Sequence, residues 1–135
     1  MPPERFRLAA EPWLAYAEGD LAAAQACADH AAVPGWTIAF HCQQAIEKSY
    51  KGALHFVGVL PPKSHELVKL HDLLAAAGIV APLEAESVKD LSPFAIDDKY
   101  PRLLAPQIDR AEAADWIPFA QQAVAWLRAM LAASP

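Results

Sequence analysis

Residues 41–52 read HCQQAIEKSYKG, the densest polar stretch in an alanine-rich chain. His41, Glu47, Lys48, Tyr50 and Lys51 can carry charge or titrate, and Gln43 and Gln44 lie among them. Side chains of these types can bind a nucleotide or a partner through charge and hydrogen bonds. They can equally form the wet side of a helix. At 3.6 residues per turn, His41, Gln44, Lys48, Lys51 and His55 fall along one side, opposite an apolar stripe through Ile46 and Tyr50. Gln43 and Glu47 lie between the two faces. Glu47 precedes Lys51 by four residues, the favourable order for a helical ion pair. On an exposed face such a pair is worth roughly 0.3–0.5 kcal/mol. Periodicity therefore predicts a solvated face, with an interaction seam as the sharper alternative. Gln43, on the border, is the hardest of these residues to explain as solvent cover. A buried amide that satisfies a helix end or a neighbouring backbone group is its plainer reading.

A second polar group is Asp97, Asp98, Lys99, Tyr100, Pro101 and Arg102. One reading is a turn whose tyrosine packs on the fold while the charges are solvated. The other is a nucleotide or RNA contact, with Lys99 and Arg102 on phosphate and Tyr100 stacking on a base. The two aspartates oppose phosphate there. The histidines are His30, His41, His55, His65 and His71, with no HxxxH or HExxH pair, so no metal site is expected. Neither a glycine-rich phosphate loop nor a GxSxG turn occurs, and no cofactor is expected. Ser64 beside His65 reads as a helix cap rather than a nucleophile with its base.

These residues need elements to position them, and the composition favours helices. The chain has 135 residues, is 55% hydrophobic with much alanine, and has only 5 glycines. Alanine loses no rotamer freedom in a helix. The length fits one domain over 1–135, with residues 1–10 as an N-terminal tail. A net charge of −5 opposes the basic groove that nucleic acid needs. Cys27 and Cys42 read as buried thiols in a reducing compartment. No secretory h-region and no long uncharged apolar run is present, so a soluble, cytoplasmic protein with no membrane association is expected.

Prolines divide the chain. A first helix is expected from near Glu11, with Pro12 in its first turn, to about His30. Its apolar line is Trp13, Ala17, Leu21, Ala24 and Ala28. VPGW (33–36) is a turn, and a second helix is expected from Gly35 to Val59, ended by LPPKS (60–64). Ser64 should cap a third helix that stops at Gly78. A shorter irregular segment follows, broken by Pro93. Asp109 and Glu112 suggest a capping box for a last helix from Arg110 to Ala133, which Pro118 should kink or start late. The apolar line of that helix is Ala113, Trp116, Ala120, Ala123, Leu127 and Met130. The fold class is all-α, an up-and-down four-helix bundle with an additional short helix.

Four segments, in order, resemble the prokaryotic HEPN domain family. WLAYAEGDLAAAQA resembles its first helix, with Trp13, Ala17, Asp20, Leu21 and Ala24 at the matching positions. FHCQQAIEKSYKGAL is similar to its QQAxEKxxKA signature through Gln43, Gln44, Ala45, Glu47, Lys48 and Lys51, with Gly52 where alanine is usual. KSHELVKL resembles its Ser/Thr-His-acid-Leu element through Ser64, His65, Glu66 and Leu67. DDKYP is similar to its Arg-Tyr-Pro element, with Lys99 for arginine. The resemblance implies a helical bundle, often a homodimer. It also implies a minimal nucleotidyltransferase as partner, sometimes within a toxin–antitoxin pair. Some members are metal-independent RNases with an Arg-x(4–6)-His motif near the start of a late helix. No histidine follows His71 in this chain, so Arg102 and Arg110 lack that partner. The expectation is a non-catalytic module that binds a nucleotide or partners a nucleotidyltransferase. Its candidate binding residues are Gln43, Gln44, Glu47, Lys48, Lys51, His65, Lys99, Tyr100 and Arg102. The alternative is an RNase built from His65 with Lys99 or Arg102.

Overall fold

The computed structural model describes residues 2–95 and 107–133, and all regular structure among them is helical. The helices are α1 (Glu4–Ala28), α2 (Gly35–Phe56), α3 (Leu67–Ala76), α4 (Ala85–Leu91), α5 (Arg110–Ala114) and α6 (Ile117–Ala132). A 3-10 turn, Ser92–Phe94, follows α4 and contains Pro93. Residues 97–102 lie outside the described residues.

The second helix is the axis of the fold. It packs against α1, α3, α5 and α6, and every residue in it is buried or half-buried. Ile38, Ala39, Cys42, Ala45, Ile46, Tyr50, Ala53 and Leu54 are fully enclosed. A helix enclosed on several sides has no solvated face. The polar line through His41, Gln44, Lys48, Lys51 and His55 is therefore half-buried, and Lys51 is buried. This corrects the expected solvated face: other helices cover both sides of α2. Burial also pushes the Cys42 thiol up to about 12, so it stays a neutral, inert side chain. Cys27, expected to be buried, is half-buried.

The first helix starts at Glu4, earlier than Pro12 suggested, so residues 4–10 are helix rather than tail. Two causes are visible. Pro12 is exposed, so the Leu8 carbonyl that it leaves without a helical donor is on the wet side. Arg7, in the added turn, donates from Nη1 to the carbonyl of Leu131 at 2.7 Å and ties that turn to the end of α6. Ala10, Ala17 and Ala24 form the fully buried line of α1, seven residues apart. Their small side chains let α1 lie close to α2.

The third helix starts at Leu67, later than a Ser64 cap predicts. The Ser64 hydroxyl accepts from the Glu66 N–H at 3.1 Å, which makes a turn before the helix rather than its cap. Gly78 has a φ of +81° just beyond α3, the left-handed stop the sequence suggested. Asp109 caps α5, accepting from the Glu112 N–H at 2.8 Å. Pro118 sits in the first turn of α6 and separates it from α5. Ala113, Ala120, Ala123 and Leu127 are buried as their spacing predicted.

Two glycines mark close approaches. A methyl at Gly35 would lie 2.8 Å from the backbone carbonyl carbon of Asp109, and still nearer the Ile108 carbonyl oxygen. A methyl at Gly52 would lie 2.8 Å from Leu127 Cδ2 and 2.9 Å from Trp13 Cβ. At Gly35 every obstacle is backbone, whereas at Gly52 Leu127 can rotate and only Trp13 Cβ is fixed. Gly35→Ala should therefore lower stability more than Gly52→Ala, with a cost of about 1–3 kcal/mol at Gly35. Urea denaturation of the two variants checks this ordering.

Candidate functional site

Two polar centres hang on α2, each built round one carboxylate. The inner one is Glu47, only 3% exposed. Its Oε1 accepts from Gln43 Nε2 at 3.2 Å and from His65 Nδ1 at 3.1 Å. Its Oε2 lies 3.3 Å from Lys51 Nζ. Gln43 donates its other amide hydrogen to the His65 carbonyl at 3.1 Å, and its Oε1 accepts from Gln44 Nε2 at 2.6 Å. Both donors and the acceptor of this fully buried amide are engaged. Lys51, 6% exposed, also stands 5.8 Å from the centre of the Trp13 ring. A buried carboxylate and a buried ammonium would each be costly alone, and their pairing with several hydrogen bonds offsets that cost. The network also explains the late start of α3. Gln43 and Glu47 hold His65 by its carbonyl and its ring, so the segment stays extended until Glu66.

The outer centre is Asp20, on α1. Its Oδ1 accepts from His41 Nδ1 at 3.0 Å, and its Oδ2 pairs with Lys48 Nζ. Burial acts to raise the Asp20 pKa. Hydrogen bonds from His41 and Lys48, together with their charge, outweigh it and hold the carboxyl below its ordinary value. Tyr16 lies one helical turn earlier on α1, 64% exposed, with Lys48 Nζ 5.9 Å from its ring centre. His55, further along α2, stacks on Trp13 with centroids 5.9 Å apart, and burial pushes its pKa down.

The residues singled out in the sequence thus separate. Gln43, Glu47, Lys51 and His65 meet in the inner network. Gln44 touches Gln43 at its edge, and Lys48 belongs to the outer centre. Lys99, Tyr100 and Arg102 lie outside the described residues. Sequence reasoning missed Arg110, which donates to the carbonyls of Ala28 at 2.8 Å, of Cys27 at 3.3 Å, and of Val33. It binds the start of α5 to the last carbonyls of α1 and to the turn that follows it, as a basic side chain does at a helix C-terminus. Asp20 was visible only as part of a motif. Spacing along one helix does not show which residue of another helix faces it. No group of three or more histidines, cysteines or carboxylates among the described residues is arranged to hold a metal ion. No helix among them is long and apolar enough to cross a membrane.

The family model of the HEPN domain matches residues 10–130. The chain belongs to the HEPN domain family. No match was found among curated proteins or solved structures. Within this HEPN domain, the signature glutamine, glutamate and second lysine hold one fold segment to another. Gly52, where the family usually has alanine, is explained by the crowding of Trp13 and Leu127 over that position.

Removing the inner carboxylate should leave Lys51 buried without its counter-charge. Glu47→Ala is expected to cost about 3–5 kcal/mol, read from urea midpoints. The outer carboxylate gives a pH signature. Its folded pKa is depressed, so its contribution is complete above the unfolded value and is lost as pH falls through the folded one. Wild-type stability should therefore drop below about pH 4 by more than that of Asp20→Asn. Equal acid limbs for the two proteins would contradict this.

Proposed function

We propose that this HEPN domain is a binding module that partners a nucleotidyltransferase, as one half of a toxin–antitoxin-like pair, and does not cleave RNA through an Arg-x(4–6)-His site. One observation carries the non-catalytic part. Arg110, the arginine at the start of a late helix, directs its guanidinium to the Cys27, Ala28 and Val33 carbonyls, and no histidine follows it in the chain. A guanidinium held this way closes a helix end and is not aimed at a scissile phosphate. The partner itself is proposed from family membership and motif order. A homodimer through a helical face belongs to the same reading, since Trp13, Trp36, Trp116 and Trp126 are all only half-buried.

Two further readings stand beside this one. The His65 ring is half exposed while its Nδ1 is held by the buried Glu47, an arrangement that orients an imidazole for proton transfer. It favours RNase chemistry at His65, with Lys99 or Arg102 as the cation. Nucleotide binding is the other. With Gln43, Glu47 and Lys51 engaged in the interior, this reading relies on the polar groups nearer the surface.

Affinity purification of the tagged protein, co-expressed with a nucleotidyltransferase encoded beside it, should retain that enzyme in a stable complex. Absence of such a neighbour, or failure to co-purify, would remove the partner reading. Purified protein incubated with RNA should show no cleavage above background. Cleavage that disappears in His65→Ala would instead establish the His65 chemistry. Light scattering at high micromolar concentration should give twice the mass of 14.6 kDa.

A further inference from the structure

The inner network leaves one reactive atom facing water. Glu47, paired with Lys51, accepts the Nδ1–H of His65 at 3.1 Å from Oε1 and 3.3 Å from Oε2. That bond fixes the tautomer and puts the lone pair of the neutral ring on Nε2. Every polar contact of the ring among the described residues uses Nδ1, so Nε2 is unoccupied by protein. Gln43 holds the same residue by its backbone carbonyl at 3.1 Å. Backbone and ring are thus both tied to α2, yet the side chain is 52% exposed. The other histidines lack this combination. His30 is exposed, but its ring has no polar partner among the described residues. His41 is held by Asp20 but is only 26% exposed, and the Phe40 ring lies edge-on to it. His55 lies against Trp13 and His71 against Tyr50, each half-buried.

We propose that His65 is a phosphoryl acceptor, taking the group at Nε2 from a phosphoramidate donor, the class to which phosphohistidine side chains belong. The Nε2 lone pair attacks phosphorus and forms a new P–N bond. The donor's own P–N bond breaks, and its nitrogen, already protonated, leaves as the neutral amine with the bonding pair. No proton has to leave the His65 ring. As the bond forms the ring becomes cationic, with its Nδ1–H still on Glu47. The carboxylate offsets that charge, as the buried carboxylate of a hydrolase triad does for its imidazolium. Glu47 is therefore a positioning residue: it occupies Nδ1, aims Nε2 outward and steadies the developing charge. Lys63 and Glu66, both exposed, flank His65 in the chain with opposite charges, so neither sign dominates there. The inference uses the geometry of His65 alone and needs neither a nucleotidyltransferase partner nor RNA cleavage.

The test is incubation of the full chain with potassium phosphoramidate at about pH 8, where an imidazole is neutral. Peptide mass mapping locates the label, and phosphorus NMR distinguishes the two ring positions. The folded protein should be labelled at His65 about tenfold or more faster than at His30, a gain of the size that an orienting partner gives a histidine. The His65 label should sit on Nε2 alone, while His30 carries both isomers. In concentrated urea the five histidines should react alike. Glu47→Gln, with folding checked by circular dichroism, keeps the shape but removes the charge. It should slow labelling of His65 by a similar factor and leave His30 unchanged. The wild-type pattern decides the matter even if that variant does not fold. Labelling of His65 no faster than His30, an Nδ1 label in the folded wild type, or a preference for His65 that survives urea would each overturn the proposal. So would an unchanged His65 rate in folded Glu47→Gln.

Discussion

A carboxylate enclosed by protein is the constraint on which the rest of this fold depends. Glu47 lies on the most enclosed helix of the bundle, where an uncompensated charge would be strongly unfavourable. Its neighbours therefore have to be in fixed places. Lys51 must stand one turn along α2 and Gln43 one turn back, and His65 must come to it from the next segment. The requirement fixes where α3 starts and which surface of α1 faces α2, because Trp13 covers the Lys51 ammonium. Hydrogen bonding of this kind specifies a unique arrangement more sharply than apolar packing, since any slip leaves a buried donor or acceptor unpaired.

Around that centre the apolar packing relies on small residues. Ala10, Ala17 and Ala24 bring α1 close to α2, Gly52 admits Trp13 and Leu127, and Gly35 admits the strand of backbone before α5. Close helices leave backbone ends near one another, and two arginines use that proximity. Arg7 joins the start of α1 to the last turn of α6, and Arg110 joins the start of α5 to the end of α1. Each long side chain satisfies carbonyls that a helix terminus leaves open. On the outside of the α1–α2 contact, Asp20 gathers His41 and Lys48.

The two carboxylate centres differ because of solvent. Both pair a carboxylate with one histidine and one lysine. In the inner one the lysine is enclosed and its charge stabilises the interior. In the outer one the histidine and the lysine are only partly covered, and the lysine retains donors that water can take. Lys48 and Lys51, less than one turn apart on α2, thus have different roles.

Much of the architecture was legible in the sequence. Local signals are governed by neighbours along the chain: the capping pair Asp109 and Glu112, the stop at Gly78, the break at Pro118 and the apolar line of the last helix all appear where they were expected. The motif order also carried the family. The sequence by itself did not determine which faces of α2 meet other helices. A period of 3.6 residues separates apolar from polar positions, yet it assumes a helix with one wet side, and α2 has none. For the same reason the residues of HCQQAIEKSYKG could be ordered along a helix but not divided between interior and surface. That division depends on α1, α3 and α6 arriving from distant parts of the chain. Only the tertiary structure decided that Glu47 would be enclosed with Lys51 and His65, and that Asp20 would hold His41 and Lys48 outside, because the energy of a charge depends on what surrounds it in space.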